Sequence, residues 1–160
     1  MGKTMLDEAL TQRLVEEMQT VFSDDQDMID HNHKVLEYCR AILEAEGGDP
    51  LTVTAAALLH DIGIPEAKRR HGSARGRWQE ELGPPIARQI LAKLGVDDRV
   101  AEHVCRIVGS HHSGTDIDTV EFRILWDADW LVNFSWAHPE KDRDQYPVYI
   151  QKTFRTAKGR

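Results

Sequence analysis

A chain of 160 residues with 41% apolar and 29% charged side chains is long enough to bury one self-sufficient core, and its composition is that of an ordinary globular protein. The formal net charge of −7 opposes bulk attraction to a polyanion, so a nucleic-acid or anionic-membrane partner is not expected. No apolar run approaches the eighteen or so residues of a membrane span, and "MGKTMLDEAL" carries neither a basic-then-apolar leader nor the Ser/Thr of a myristoylation motif, so a cytoplasmic location is expected. Cys39 and Cys105 stand alone in helical-looking segments without C-x-x-C spacing, which reads as small core residues rather than a disulfide or zinc framework.

Hydrophobic spacing is helical nearly throughout, with no sustained period-two segment and no repeat, and predicts one all-α domain, a bundle of about six to seven helices. A first helix is expected from about Thr4 to Phe22, with Leu6, Leu10, Leu14, Met18 and Val21 on one stripe. After the turn chemistry of "SDDQD", a second runs from about Asp27 to Glu46, where His31, Val35, Tyr38 and Ile42 share a face before "EGGDP" stops it. The third, about Leu51 to Ile62, is apolar on most sides. A Gly- and Arg-rich loop follows, "KRRHGSARGR", and then a fourth helix in "GPPIARQILAKLG", with Pro84 and Pro85 in its first turn and Gly95 at its end. "VDDRVAEHVCRIVGSHH" predicts a fifth helix ending at His111 and His112, and "DTVEFRILWDADWLVNF" a sixth. The core region is expected over 27–134. The N-terminal helix (1–26) and a polar, proline-interrupted tail (135–160), with Tyr146, Val148, Tyr149, Ile150 and Phe154, would cover it.

The chemistry begins in "TAAALLHDIGIPEAKRR", which sets His60 and Asp61 directly behind an apolar run. An ionised carboxylate carried into a core must be paired, protonated or bound to a cation, because desolvating it alone costs several kcal/mol. A lone buried His-Asp pair is most simply a salt bridge or a satisfied helix end. Three further observations favour a joint explanation: His31 heads the apolar stripe of the second helix, Asp127 and Asp129 lie between tryptophans in "WDADW", and His111-His112 ends another helix. A cluster of imidazoles and carboxylates is more economical than several separate buried charges.

These residues resemble the HD superfamily of metal-dependent phosphohydrolases. "DHNHKVLEYC" supplies a His, His31; "ALLHDIG" supplies the adjacent pair, His60 and Asp61; "ILWDADWL" supplies Asp129 in the family's "AD-x-L" position, with Asp127 as the near alternative. The resemblance implies a metal held by His31, His60, Asp61 and Asp129. Two consecutive residues about 100° apart on a helix can both reach an ion lying between their directions. A mixed imidazole and carboxylate set suits one divalent transition metal ion, Mn, Fe, Co, Ni or Zn, better than Mg or Ca. Such an ion lowers the pKa of a bound water from about 15.7 toward roughly 7–9.

Dinuclear members carry a further His where this chain has Gln79, in "QEELGPPIARQIL". One metal is therefore expected, with a second ion left open through Glu80 or Glu81 and the later histidines. With one metal, His111 and His112 would contact phosphate or act as acid toward the leaving group, Asp127 and Asp61 would serve in catalysis, and Glu66 is a candidate general base. Lys68, Arg69, Arg70 and Arg75 are candidates for phosphate binding, against the plainer reading of a solvated basic loop. The expected function is hydrolysis of a small phosphorylated substrate, a nucleotide among the candidates. A non-catalytic metal- or nucleotide-binding sensor is the alternative, and self-association stays open.

Overall fold

A computed structural model describes residues 8–137 as seven helices and no strands: α1 (Glu8–Phe22), α2 (Gln26–Glu46), α3 (Pro50–Leu59), α4 (Ile64–His71), α5 (Gly76–Lys93), α6 (Asp98–Val108) and α7 (Val120–Ala137). The expected start at Thr4 and the tail from Pro139 lie outside the described residues. Among those residues, no helix is long and apolar enough to cross a membrane.

The helix starts follow from side-chain caps. Asp25 accepts from the Met28 N–H ahead of α2, and Asp97 from that of Arg99 ahead of α6. Before α3, Asp49 accepts both the N–H and the hydroxyl of Thr52, at 3.1 and 2.6 Å, while Pro50 occupies the first turn, where its missing N–H costs nothing. Every residue of α3 from Thr52 to Leu59 is buried, because α1, α2, α6 and α7 all pack on it. Burial of this helix all round is what its largely apolar sequence calls for, each large apolar side chain contributing about 1.5–3 kcal/mol. Cys39 and Cys105 are free and buried, as expected of core residues.

Three expected boundaries move. The third helix ends at Leu59 rather than Ile62, so His60 and Asp61 stand in the turn between α3 and α4. More than half of the expected basic loop is helical: Lys68, Arg69 and Arg70 occupy the last turn of α4, where cations oppose the negative end of the helix dipole, Gly72 ends it at φ 67°, and Gly76 and Arg77 open α5. Pro84 and Pro85 lie inside α5, which begins eight residues earlier at Gly76. Tertiary contacts override the proline signal. The α4–α5 hairpin closes through a His71–Trp78 stack with centroids 3.7 Å apart, and Arg77 covers Trp78 at 4.2 Å. Where α4 meets α5, a Cβ on Gly63 would lie 2.8 Å from the Gly83 nitrogen, so only glycine permits that approach. Gly83 in turn faces Val108 of α6, and these contacts hold the segment ahead of the prolines in helix.

Candidate metal centre

Three elements bring four donors to one point. His31 comes from α2, His60 and Asp61 from the turn after α3, and Asp129 from α7; His31, His60 and Asp61 are 3%, 0% and 6% exposed. Their donor atoms all lie within 4.8 Å of one another. His31 Nε2 is 3.2 Å from both Asp61 Oδ2 and Asp129 Oδ1, and His60 Nε2 is 3.1 and 3.4 Å from the same two oxygens.

The orientation of His60 is fixed from behind. Its Nδ1 lies 2.8 Å from the Ala57 carbonyl, which can only accept, so Nδ1 carries the proton and a neutral ring turns the Nε2 lone pair toward the carboxylates. His111 repeats this device: Nδ1 donates to the Val108 carbonyl at 2.8 Å, and Nε2 faces Asp61 Oδ1 at 3.4 Å. Both Nε2 atoms are buried and make no hydrogen bond. Lone pairs set against carboxylate oxygens repel unless a proton or a cation intervenes, and a histidine whose far nitrogen is tied to a backbone carbonyl is the usual orientation of a metal ligand.

The spacing fits an ion. Donors at about 2.0–2.2 Å from a common metal stand roughly 3.0 Å apart at a right angle and about 3.4 Å apart in a tetrahedron. The observed nitrogen-oxygen separations of 3.1 to 3.4 Å fall in that interval. The donor set therefore fits a divalent transition metal of the expected kind. With only protons available, the same contacts polarise the cluster. Burial alone would lower His60 and raise Asp61 and Asp129. The Asp61 charge, followed by that of Asp129, instead raises His60 well above its ordinary value; a protonated His60 in turn holds both aspartates down, with His111 and then His31 adding to this at Asp61 and His31 at Asp129.

A cavity of about 190 Å³ opens on the cluster, lined by Met28, His31, Asp61, Ile64, Gln79, His112, Asp129 and Asn133. Asn133 Nδ2 donates to Asp129 Oδ1 at 3.2 Å, one helical turn away. At the rim, exposed His112 is lowered from its ordinary value by partial desolvation, then by the neighbouring His111. Asp61, His111 and His112 form a second set of donors within 4.8 Å.

Other expected site residues lie elsewhere. Asp127 is fully buried two positions before Asp129, about 200° around α7, and does not line the cavity that Asp129 lines. Glu66 does not line the cavity and is paired with Arg69 and Arg70; hydrogen bonds from Arg69 and then Arg70 hold its carboxyl down to about 2. Nor do Lys68, Arg69, Arg70 or Arg75 line it. Glu80 accepts the backbone N–H groups of His112 and Ser113, at 2.9 and 2.7 Å. Met28, Ile64 and Asn133 line the cavity beside the expected residues. Of these, only Asn133 carries a sequence signal, its i+4 spacing from Asp129.

A family model of the HD domain matches residues 28–133. The crystal structure, at 1.45 Å resolution, of a predicted HD superfamily hydrolase from an uncultured Thermotogales bacterium is similar over 93% of this chain and 80% of its own, with a TM-score of 0.70 and 25% identity. The matched residues contain the whole cluster, from His31 to Asp129, and extend over well more than half of the sequence. The chain belongs to the HD domain family.

Proposed function

We propose that this protein is a metal-dependent hydrolase of small phosphoesters, a nucleotide being one candidate, and that His31, His60, Asp61 and Asp129 hold its divalent transition metal ion. The observation that carries this reading is the convergence of two buried imidazole nitrogens on two carboxylate oxygens at 3.1 to 3.4 Å. When bound, the ion supplies Lewis-acid polarisation of a phosphoryl oxygen and a water acidic enough to attack near neutral pH.

The chain's own residues account for the rest. The Ala57 carbonyl and Asn133 orient His60 and Asp129, so that the ligand set is formed before any substrate arrives. The cavity, at about 190 Å³, is below the roughly 300–1,000 Å³ of sites that enclose a drug-sized ligand. It admits a phosphoryl group and the nearest part of its alcohol, leaving a larger leaving group outside. His112 lines the cavity whereas His111 sits behind Asp61, so His112 is assigned the contact with substrate. The basic tip of the α4–α5 hairpin acts at longer range, as a positive region attracting an anionic substrate to an otherwise acidic protein. One ion is proposed because Gln79 stands where dinuclear relatives would place a histidine, and because Glu80 is engaged by the backbone of His112 and Ser113.

The test is a screen of the purified protein, loaded with Mn2+ or Co2+, against nucleotides and phosphomonoesters beside His60→Ala. Turnover by the wild type that the variant loses supports an enzyme. Metal binding without turnover supports the sensor alternative, and equal turnover by both proteins contradicts the assigned centre.

A further inference from the structure

One face of the first turns of α5 is built around a single side chain. Gly76, Gln79 and Glu80 lie at i, i+3 and i+4, and all three engage His112, more than thirty positions along the chain. The ring of His112 rests on Gly76 so closely that a Cβ there would lie 2.8 Å from its Cγ and 2.9 Å from its Cβ. Glu80 holds the backbone N–H of His112 at 2.9 Å. Gln79, 6% exposed, completes the cradle at the ring nitrogen, with its Oε1 2.9 Å from His112 Nε2.

The polarity of that last bond is determined by what lies behind it. Gln79 Nε2 donates to the Ala74 carbonyl at 2.6 Å, and a carbonyl can only accept. The amide is thereby oriented with its nitrogen toward Ala74 and its oxygen toward His112. An amide oxygen accepts, so Nε2 of His112 must be the protonated nitrogen, and in the neutral ring Nδ1 carries the lone pair. His60 and His111 show the reverse: their Nδ1 atoms donate to the backbone and their Nε2 lone pairs face Asp61.

We propose that Gln79 is a positioning residue which, on the floor provided by Gly76, holds His112 as the Nε2–H tautomer, so that His112 meets the occupant of the cavity through Nδ1 as an acceptor. In the reaction proposed above, on which this assignment rests, His112 then takes up a hydrogen bond or a proton from water or from a substrate hydroxyl. It does not begin as the proton donor to the leaving group. Gln79 itself touches no reacting atom in this account, because both ends of its amide are engaged.

The experiment is 15N NMR of the imidazoles in uniformly labelled metal-free protein, with His112 assigned by its loss in His112→Asn. The wild type, Gln79→Leu and Gln79→Glu are compared, with thermal melts showing that each is folded. The wild type is expected to show His112 protonated at Nε2. Gln79→Leu, with no acceptor, is expected to give a mixture of tautomers, and Gln79→Glu, which keeps an acceptor oxygen, is expected to retain the wild-type form. With Mn2+ and the best phosphomonoester found, Gln79→Leu should lower kcat about tenfold or more with KM nearly unchanged, and Gln79→Glu should recover most of the loss. A His112 protonated at Nδ1 in the wild type, or a tautomer indifferent to Gln79→Leu, overturns the proposal. So does a Gln79→Leu effect confined to KM. The metal-free spectra stand apart from turnover, so a locked tautomer in a protein without any phosphoesterase activity would defeat the proposed reaction and not the tautomer assignment.

Discussion

The buried cluster where α2, α3 and α7 meet and the basic end of α4 are separated by only a few residues of chain, yet the fold treats their charges in opposite ways. In the cluster, His31, His60 and Asp61 are buried and Asp129 lies beside them at the cavity, and the carboxylates are balanced only by a proton on the imidazoles or by a cation: with a neutral ring, the buried Nε2 of His60 has no hydrogen bond. On α4, Arg69 and Arg70 stand in solvent and share the Glu66 carboxylate between them, with the helix C-terminus accounting for the rest. The first arrangement calls for something beyond the chain; the second is complete. Charge density in a sequence does not separate the two cases, whereas burial without a partner does.

The largest effect should come from breaking the cluster. Asp61→Asn removes the carboxylate that faces three imidazoles. It should lower kcat/KM for the best phosphoester by at least about 1,000-fold, since the several kcal/mol an ion contributes to the transition state depend on it. Steady-state kinetics with a melt to show folding would check this, and an active Asp61→Asn would remove the distinction between the two regions.

The metal-free protein carries the next prediction, in its pH dependence. His60 is raised above 6.5, so its contribution to stability is complete below that value and is lost as the pH climbs through its folded-state pKa. Asp61 and Asp129 are lowered below 3.8, so theirs is present above that value and lost as the pH falls. Metal-free protein should therefore melt at its highest temperature at mildly acid pH and at a lower one at pH ~8.5. Adding Mn2+ or Co2+ should raise the melting temperature more at the higher pH, because the ion then competes with fewer protons. Melting curves that rise steadily to pH ~9 without metal would contradict the charge arrangement described.

A smaller effect is expected from the support around the cluster. Asn133→Ala takes away the bond that orients Asp129. It should weaken metal binding about tenfold, as measured by calorimetry, with little change in fold. The smallest effect belongs to the other region. Arg69→Gln with Arg70→Gln should leave metal content and kcat unchanged and raise KM only a few-fold, a difference that fades in about 0.5 M salt as long-range attraction is screened. A loss of kcat on that substitution would bring the basic helix into the site.

What the sequence disclosed follows the same division. The all-α architecture was legible because nearly every helix carries a local signal, an apolar stripe begun by a capping aspartate or closed by a glycine. His60 and Asp61 were legible because two polar residues behind "AAALL" are conspicuous without context, and His31 because it heads an apolar face. The choice between Asp127 and Asp129 rests on which way α7 is rotated, which packing against α2 and α3 decides. The interior position of Pro84 and Pro85 depends on a glycine contact between Gly63 and Gly83 that no local pattern announces. In the sequence Gln79 stands out only as a missing histidine; its bond to His112 joins α5 to the segment after α6, and only the fold brings them together. The basic stretch illustrates the reverse limit, since a run of arginines beside a metal motif suggests phosphate binding until Glu66 is seen between two of them.

The most direct test of the central claim is elemental analysis of the protein purified in Mn2+- or Co2+-supplemented medium, wild type beside His60→Ala. The account predicts about one transition metal ion per wild-type chain and a near-complete loss in the variant, because His60 supplies one of four converging donors. A wild-type chain without metal, or a His60→Ala chain that retains as much as the wild type, would contradict it.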